Sequence, residues 1–413
     1  MQFKLSNALL CALIAAPAVA ANLDGGGATL PGIAYTNNNA SSTRFSTSVP
    51  GPVGGQTPLF NAYNANQGAT KTVSYCQNGS GNGKRVLNGT NPANTACSFN
   101  PAPTGFGAAT VDANFVGSDS PISQSEYTTF ITNKGVAKTE PAQFPAIGGA
   151  IALVYNKPGL ATLNLTTAQV CGIFSGTITN WSALGGAAAP IKIVYRADGS
   201  GTTFGFSNFL SKVCNTPTKK FNTSQNFVGS PDGVLAAAPA GSISASGNGA
   251  VVTTIDTNAN TIGYAEAANV GALANAKISR VNGQSPLTNY TGFNLLAADL
   301  LVDQVISGFN ATTGRPNVVA LSPAAPVPGC VLLVKPDAYA AVTTGYPIQA
   351  ISYFLGYYKG NGAKTADLRT LLNSPFNAAI KAGTTTIGAG KGFVFLSGAT
   401  ASITTKINSC ITN

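Results

Sequence analysis

The chain has 413 residues, of which 44% are hydrophobic and 9% are charged, a balance that predicts two globular domains and excludes a disordered protein. Its 23 basic and 13 acidic residues give a formal net charge of +10, but the charges are scattered, which argues against a nucleic-acid partner and suits the attraction of small anions. The absence of histidine removes the commonest general base and zinc ligand, so we predict neither a metal nor a cofactor.

The first 21 residues have the pattern of a secretory signal peptide. Lys4 precedes an apolar run from Ala8 to Ala16, and small residues follow for cleavage near Ala20 or Ala21. That run is too short for a membrane helix, and no later segment reaches the ~18 apolar residues that such a helix needs. We therefore expect an exported protein, periplasmic or secreted, without membrane insertion.

The cysteines predict disulfides. Of the 7 cysteines, Cys11 lies in the leader, so an even number remains in the exported chain. Metal ligation is the alternative, but these cysteines lack close-ligand spacing and no histidine accompanies them. We prefer pairing between nearest neighbours in sequence: Cys76–Cys97, Cys171–Cys214 and Cys330–Cys410.

Two Gly-rich turns follow predicted strands in the first quarter of the chain. Gly25-Gly26-Gly27 leads to Thr29, the pattern of a strand end that turns into a helix or loop. Thr72 to Tyr75 predicts a strand, and Gly79-Ser80-Gly81-Asn82-Gly83-Lys84 follows it. Each turn can present a hydroxyl and backbone N–H groups to a ligand, although the first one taken alone is better explained as a flexible N-terminus with a turn. Asn-, Pro- and Gly-rich surface loops are predicted at 36–70 and 88–106.

A third predicted strand, Asn114 to Val116, delivers Asp119 into a turn of small and polar residues. A carboxylate beside an anion site can accept a hydrogen bond from protonated phosphate, whereas sulfate has no proton to offer. Asp119 would then discriminate between these two anions, although a helix N-cap is the alternative role. Just beyond it, Ser123 and Glu126 predict a capping box at the start of a helix.

The most informative stretch joins a strand-like run, Ile191 to Tyr195, to a helical pattern from Phe204 to Val213. Between them, Gly199 and Gly201 allow successive backbone N–H groups to converge at the positive end of the helix. The polar side chains of this turn are the cation Arg196, Asp198 placed to orient it, and the hydroxyls of Ser200 and Thr202. This combination predicts a cradle for a tetrahedral oxyanion such as phosphate, and an ordinary capped turn is the alternative.

The remaining elements extend to the end of the chain. Gly148 to Asn156 predicts a buried strand that crosses between the domains, and Val327 to Lys335 predicts a second one that returns. Gly229 to Val234 predicts a turn that enters a helix. Ile348 to Tyr358 predicts a helix, because its large apolar residues fall at i, i+3, i+4 and i+7: Ile351, Phe354, Leu355 and Tyr358.

Four motifs, in this order, make the chain similar to the phosphate-binding proteins of bacterial ABC importers, and more closely to their exported DING-type relatives. They are Gly26 to Pro31, Gly79 to Lys84, Gly117 to Asp119 and Arg196 to Thr202. The resemblance implies an α/β, two-lobed periplasmic-binding-protein fold of class II, with the ligand cleft between two α/β sandwich domains. It divides the chain into a signal peptide at 1–21, a first lobe at 22–152 and 286–413, and a second lobe at 153–285.

The resemblance also implies which residues bind the phosphate. They are Thr29, the Leu30 amide, Ser80 and Asp119 from the first lobe, and Arg196, Ser200, Gly201 and Thr202 from the second, with Asp198 orienting Arg196. It assigns no catalytic residue. The mature start, Asn-Leu-Asp-Gly, departs from the Asp-Ile-Asn-Gly that names the DING group.

The implied function is high-affinity binding of inorganic phosphate outside the cytoplasm by a monomer. It would serve an ABC-importer permease or act as a secreted scavenger. The alternative is a DING-type alkaline phosphatase that hydrolyses phosphomonoesters, with Ser80 or Ser200 as nucleophile and Asp119 as base. The lack of histidine and of a carboxylate cluster for two metals favours binding. A third alternative, an extracellular adhesion or matrix protein, has only low charge and long polar loops in its favour.

Overall fold

The computed structural model describes residues 22–37, 44–46, 55–90, 113–229, 231–271 and 273–413. The predicted signal peptide at 1–21, Cys97 and parts of both predicted loops lie outside these residues. In the described part of the chain, no helix is long and apolar enough to cross a membrane.

The N-terminal part of the chain alternates strands and helices. Parallel pairing joins β1 to both β3 and β4, while β2 pairs antiparallel with β3. Within the predicted loop at 36–70 the structure has β2 and α2, so the expectation of an extended loop is wrong there. The elements are β1 (Asn22–Gly27), α1 (Gly32–Thr36), β2 (Arg44–Ser46), α2 (Leu59–Asn66), β3 (Thr72–Gln77), α3 (Ser80–Leu87), β4 (Phe115–Ser118) and α4 (Gln124–Lys138).

The helix α4 begins with the predicted capping box. The Ser123 hydroxyl accepts from the Glu126 N–H at 3.2 Å, and the Glu126 carboxylate accepts from the Ser123 N–H at 2.9 Å. These contacts satisfy donors that the first helical turn leaves without an intrahelical acceptor. The capping-box prediction is therefore confirmed.

A second group of elements follows the long strand β5 (Pro141–Asn156), which is buried along its whole length. In this group β7 is parallel to both β8 and β9. The elements are β6 (Asn164–Leu165), α5 (Thr167–Phe174), β7 (Lys192–Arg196), α6 (Gly201–Val213), β8 (Ile243–Ala245), α7 (Gly247–Thr257), β9 (Thr261–Glu266), β10 (Lys277–Ile278) and β11 (Arg280–Val281).

The C-terminal part returns to the first group. Its elements are β12 (Phe293–Leu295), β13 (Leu300–Val302), β14 (Gln304–Phe309), β15 (Pro316–Ala320), β16 (Leu332–Val334), α8 (Pro336–Tyr339), β17 (Gln349–Tyr357), α9 (Thr365–Leu372), α10 (Ala378–Gly383), β18 (Phe393–Gly398) and α11 (Thr400–Cys410).

The strand β5 joins two halves of one curled sheet with the order β2-β3-β1-β4-β17-β5-β9-β7-β8. Up to Ala150 it pairs with β17, and from Ile151 it pairs with β9. The change of partner separates two α/β lobes, as the sequence predicts. No observation tests the exact boundaries at 152/153 and 285/286, which stay predictions.

The helix predicted from Ile348 to Tyr358 is wrong, because this segment forms β17. All nine residues of β17 are buried, and the strand pairs with β4 on one side and β5 on the other. A strand that is covered on both faces carries apolar residues at nearly every position. Such a run contains the helical spacing by chance, so the spacing does not distinguish the two structures.

The helix predicted to follow Gly229 is also wrong. The chain bends back there, since the Gly233 N–H donates to the Gly229 carbonyl at 2.8 Å, and the next helix in the described residues is α7. The second predicted crossing strand is shorter than expected: β16 covers Leu332–Val334, and Val331 forms a bridge to Gln143 in β5.

Candidate functional site

The predicted site residues lie where several strands and helices end. Parallel strands β1 and β4 deliver Thr29 and Asp119 to the same edge of the first half of the sheet, since parallel strands end at a common edge. Ser80 begins α3, and the turn between β7 and α6 supplies the residues of the second half. The two halves meet in a backbone hydrogen bond from the Gly81 N–H to the Gly199 carbonyl at 2.9 Å.

Arg196 is a buried cation held by a carboxylate. Its Nε donates to Asp198 Oδ1 at 2.7 Å, its Nη2 contacts Asp198 Oδ2, and its Nη1 donates to Thr202 Oγ1 at 3.3 Å. Burial acts to raise the pKa of Asp198, but the facing guanidinium outweighs it and lowers that pKa. Asp198 also accepts from the Gly247 N–H at 2.9 Å. This is the contact that the predicted orienting role of Asp198 requires.

Asp119 is a buried carboxylate with an open hydrogen-bonding position. It is 1% exposed, and its Oδ1 has no hydrogen-bond partner among the described residues. Burial raises its pKa to about 7, against the lowering effects of the Ser352 hydroxyl, the Arg196 charge, the Ser80 hydroxyl and the Lys84 charge. A carboxylate in this state can change between hydrogen-bond acceptor and donor near neutral pH.

Ser80 connects the two halves through its hydroxyl oxygen. It accepts from the Asp119 N–H at 3.1 Å and from the Gly201 N–H at 3.2 Å. Gly79 just before it has φ of 95°, a conformation that favours glycine, and this turns α3 so that Ser80 opens the helix. The Ser80 oxygen thus satisfies the first N–H group of α6.

The N-terminal end of α6 carries the remaining second-half residues. Ser200 is the N-cap, and its Oγ accepts from the Thr203 N–H at 3.1 Å, so its own proton stays available as a donor. Helix geometry leaves the Thr202 N–H without an intrahelical acceptor, and the helix dipole favours negative charge at this end. Ser200, Thr202 and Thr203 are fully buried.

Thr29 and Leu30 reach the site from the end of β1. Thr29 is 2% exposed and Leu30 is fully buried, with the Leu30 side chain lying close to Gly149 in β5. The Thr29 Oγ1 accepts from the Asn248 N–H at 3.2 Å and from the Asn248 side-chain amide at 3.1 Å. Thr29 is therefore linked to the beginning of α7.

Asn248 contacts two of the predicted site residues but is not itself predicted from the sequence. It is fully buried, and its Nδ2 donates to Thr202 Oγ1 at 3.1 Å as well as to Thr29. A signal was present in the sequence: Ser246-Gly247-Asn248-Gly249 follows a short strand and opens a helix, as the other motifs do. That pattern is weak by itself, because capped turns of this kind are common.

The predicted ligand residues form a buried site. A cavity of about 310 Å³ opens beside it, with Ser120 and Gln225 among its lining residues, but none of the predicted ligand residues lines that cavity. The Ser120 hydroxyl donates to Gln225 Oε1 at 3.3 Å between the two halves. Because its residues are buried, the predicted site suits a small anion better than the organic part of an ester.

Two of the three predicted cysteine pairs are disulfides in the structure. Cys171–Cys214 joins α5 to the end of α6, and Cys330–Cys410 joins the chain before β16 to the end of α11. Pairing of Cys76 with Cys97 stays a prediction, because Cys97 lies outside the described residues. Within the described residues, no group of three or more Cys, Asp or Glu side chains could hold a metal ion.

Comparisons with known proteins identify related sequences. A family model described as the PBP superfamily domain matches residues 55–310. Alkaline phosphatase L of Pseudomonas aeruginosa PAO1 is 34% identical over 215 residues, which cover 52% of this chain and 54% of that protein. A phosphate-binding protein from an unknown prokaryotic organism is 29% identical over 315 residues, 67% of this chain and 81% of its own. The chain thus spans about half the length of the first of these relatives.

Solved structures share the fold. The periplasmic phosphate-binding protein PfluDING, bound with phosphate at pH 8.5, has a TM-score of 0.61 at 23% identity and covers 93% of this chain and 92% of its own. A phosphate-binding protein from Stenotrophomonas maltophilia has a TM-score of 0.60 at 22% identity, with 94% of each chain covered. This likeness confirms the two-lobed α/β fold.

Proposed function

This chain belongs to the PBP superfamily, and we propose that it binds inorganic phosphate in the cleft between its two lobes. The proposal takes residues 22–152 and 286–413 as one lobe and 153–285 as the other. It assigns the ligand to Thr29, the Leu30 amide, Ser80, Asp119, Arg196, Ser200, Gly201 and Thr202.

One observation carries the proposal: a buried set of hydrogen-bond donors faces a single buried carboxylate. Arg196 and the first turn of α6 supply positive charge and N–H groups, which an anion requires. Asp119, with Oδ1 unpartnered, would repel a fully ionised anion such as sulfate. A tetrahedral anion that keeps a proton can donate it to Asp119, and monohydrogen or dihydrogen phosphate is such an anion.

The names of relatives support the same ligand. Several similar proteins are called phosphate-binding proteins, among them PstS of Xylella fastidiosa, which is 44% identical over 119 residues. We further propose that the chain acts outside the cytoplasm after loss of a signal peptide. The role that we assign to the chain is delivery of phosphate to an ABC-importer permease. The alternative role, scavenging of phosphate by a secreted form, needs no permease.

A calorimetric titration of phosphate into the exported form of the protein tests the proposal. Bound phosphate is first removed by unfolding and refolding without reductant, because the disulfides Cys171–Cys214 and Cys330–Cys410 must survive the procedure. We expect tight one-to-one binding of phosphate and no competition from a large excess of sulfate.

A phosphomonoester assay on the same sample provides the contrasting result. Turnover of the ester without tight binding of phosphate would overturn the proposal in favour of the alkaline phosphatase activity that the name of the P. aeruginosa relative denotes. Absence of both results would reject both functions.

A further inference from the structure

The amide of Asn248 contacts three different parts of the molecule. Its Nδ2 donates to Thr29 Oγ1 and to Thr202 Oγ1, both at 3.1 Å, and its Oδ1 accepts from the Glu266 N–H at 3.2 Å. Asn248 is fully buried, so water does not compete for these bonds. Thr29 comes from the first proposed lobe, while Asn248 and Thr202 come from the second.

The backbone of Glu266 determines which way the amide of Asn248 points. A backbone N–H can only donate, so the atom that faces Glu266 must be the amide oxygen of Asn248. The amide nitrogen then faces the two threonine hydroxyls. It can only donate to them, since an amide NH₂ group has no acceptor capacity.

The hydrogen bonds that each threonine hydroxyl already accepts determine what it can offer to a ligand. A hydroxyl oxygen has two acceptor positions and one proton. Thr29 Oγ1 accepts from the backbone N–H and the side-chain amide of Asn248. Thr202 Oγ1 accepts from Asn248 and from Arg196 Nη1. Both oxygens have filled acceptor positions, so both threonines have only a proton left to offer.

We propose that Asn248 is a positioning residue that makes Thr29 and Thr202 obligatory hydrogen-bond donors toward the ligand, one from each lobe. This inference rests on the proposed function and assigns a cause to its anion specificity. A ligand that presents a donor to either hydroxyl finds no acceptor there, so the two hydroxyls bind an anion and reject a group that can only donate, such as an ammonium group.

The isosteric variant Asn248→Asp tests whether Asn248 makes the Thr29 and Thr202 hydroxyls donate to the ligand. It keeps the size of the side chain and an oxygen for the Glu266 N–H, but it presents a second oxygen where the amide nitrogen was. The two hydroxyls would then turn their protons toward the new carboxylate and away from the ligand. We expect phosphate affinity measured by calorimetry to fall by about a hundredfold or more, since two ligand hydrogen bonds are lost and a negative charge is added.

A double-mutant cycle separates positioning from a purely structural role. Asn248→Ala and Thr29→Val are each expected to weaken phosphate binding by about tenfold, the effect of one hydrogen bond. If Asn248 acts through the Thr29 hydroxyl, the double variant loses much less than the product of the two factors. Fully multiplicative losses would contradict the inference, as would normal phosphate affinity in Asn248→Asp.

Asn156→Ala is the matched control. Asn156 is also a buried asparagine that holds α7, but its amide donates to the carbonyls of Ile255 and Asp256 at the opposite end of that helix. This variant should lower the melting temperature and leave phosphate affinity unchanged. A loss of affinity equal to that of Asn248→Ala would reduce Asn248 to a structural residue. If the wild-type protein binds no phosphate, the proposed function fails and the inference fails with it.

Discussion

Arg196 and Asp119 are both buried, and the proposed function gives each a different part in binding an anion. Arg196 is 2% exposed and already paired with Asp198, so its orientation does not depend on the ligand. Asp119 has one oxygen without a partner in the described residues. In the proposed function, the preorganised cation would attract the ligand and the carboxylate would select for a ligand that carries a proton.

Replacing Arg196 tests whether its positive charge attracts the anion. We expect Arg196→Ala to weaken phosphate binding by several kcal/mol, on the order of 3–5, because the variant removes the buried cation and leaves Asp198 unpaired. Calorimetric titration measures this loss. Arg315→Ala is the matched control, since Arg315 pairs with Asp337 at 2.9 Å outside the site. Near-normal affinity in Arg196→Ala would remove Arg196 from the site.

Replacing Asp119 tests whether its carboxylate selects phosphate over sulfate. Asp119→Asn keeps the shape of the side chain, removes its negative charge and adds a donor that can face an unprotonated oxygen. Sulfate should then compete with phosphate, so that the ratio of the two dissociation constants narrows by about tenfold or more, the effect of one hydrogen bond. Competition titrations on both proteins give that ratio, and an unchanged ratio would rule out the proton-acceptor role.

The raised pKa of Asp119 also predicts how stability depends on pH. The folded-state pKa of about 7 lies above the ordinary carboxyl pKa of 3.8, so between these pH values the native state keeps a proton that the unfolded state has released. The ligand-free protein should therefore gain stability as the pH falls from 7 toward 4, with a contribution of about 1.4 kcal/mol per pH unit from this group.

Urea unfolding of the wild-type protein and of Asp119→Asn across this pH range measures that contribution. The variant should show a pH slope that is smaller by about one proton. Glu140, whose pKa burial raises to about 7, has Asp303 and not Asp119 as its charged neighbour, so its contribution is the same in both proteins and cancels in the difference. Burial raises the pKa of Glu266 and the Asp119 charge raises it further, so a change in that carboxyl is part of the measured difference. Identical slopes would place the pKa of Asp119 near its ordinary value.

At the scale of elements, the start of α6 lies against the end of β4. A Cβ atom added at Gly201 would lie 2.4 Å from Asp119 Cβ and 2.6 Å from its Cα. Such distances are far below van der Waals contact, which is about 3.5–4.0 Å between carbon atoms. Glycine is therefore required at Gly201 for the two lobes to approach each other as closely as they do here.

Gly201→Ala should prevent this closure. We expect phosphate binding to weaken by about a hundredfold or more, because the added methyl group separates Asp119 from the α6 donors by roughly an ångström. The control is Gly135→Ala in α4, where a new Cβ meets its nearest neighbour at 3.6 Å. That control should bind phosphate normally and gain about 0.5–1 kcal/mol of stability. Normal binding by Gly201→Ala would contradict the closed geometry as the binding state.

The elements also show where patterns in the sequence are ambiguous. The turns that bear the site and the capping box of α4 were recognisable because glycine, proline and capping residues act on neighbouring backbone groups. The sequence predicts a helix where β17 forms. Its burial on both faces depends on β4 and β5, which lie far away in sequence, so no local pattern indicates it. The spacing of apolar residues distinguishes a helix from a strand only when one face of the element is buried.

At the scale of the whole molecule, the two lobes share one sheet and contact each other at the site. A ligand that binds only the folded, closed molecule stabilises it by an amount that grows with the logarithm of the ligand concentration. We expect the melting temperature to rise steadily with phosphate concentration and not with equimolar sulfate. Thermal melts of the wild-type protein and of Arg196→Ala test this, and an equal rise in both proteins would reveal binding elsewhere.

Sequence patterns are sufficient to propose site residues from each motif and to predict the alternation of strands and helices around them, as well as the two-lobed α/β fold. These properties depend on residues that are close in the chain, or on motifs that resemble those of a known family. Short-range hydrogen bonding and glycine conformations act within a few residues, so they leave a local signature.

Which distant residues contact each other depends on the tertiary structure. Thr29 and Asn248 are 219 positions apart, yet their hydrogen bonds connect the lobes and orient a hydroxyl of the site. The open position on Asp119 likewise depends on burial by several elements at once. Such contacts follow from how the whole sheet packs its helices, and no local pattern records them.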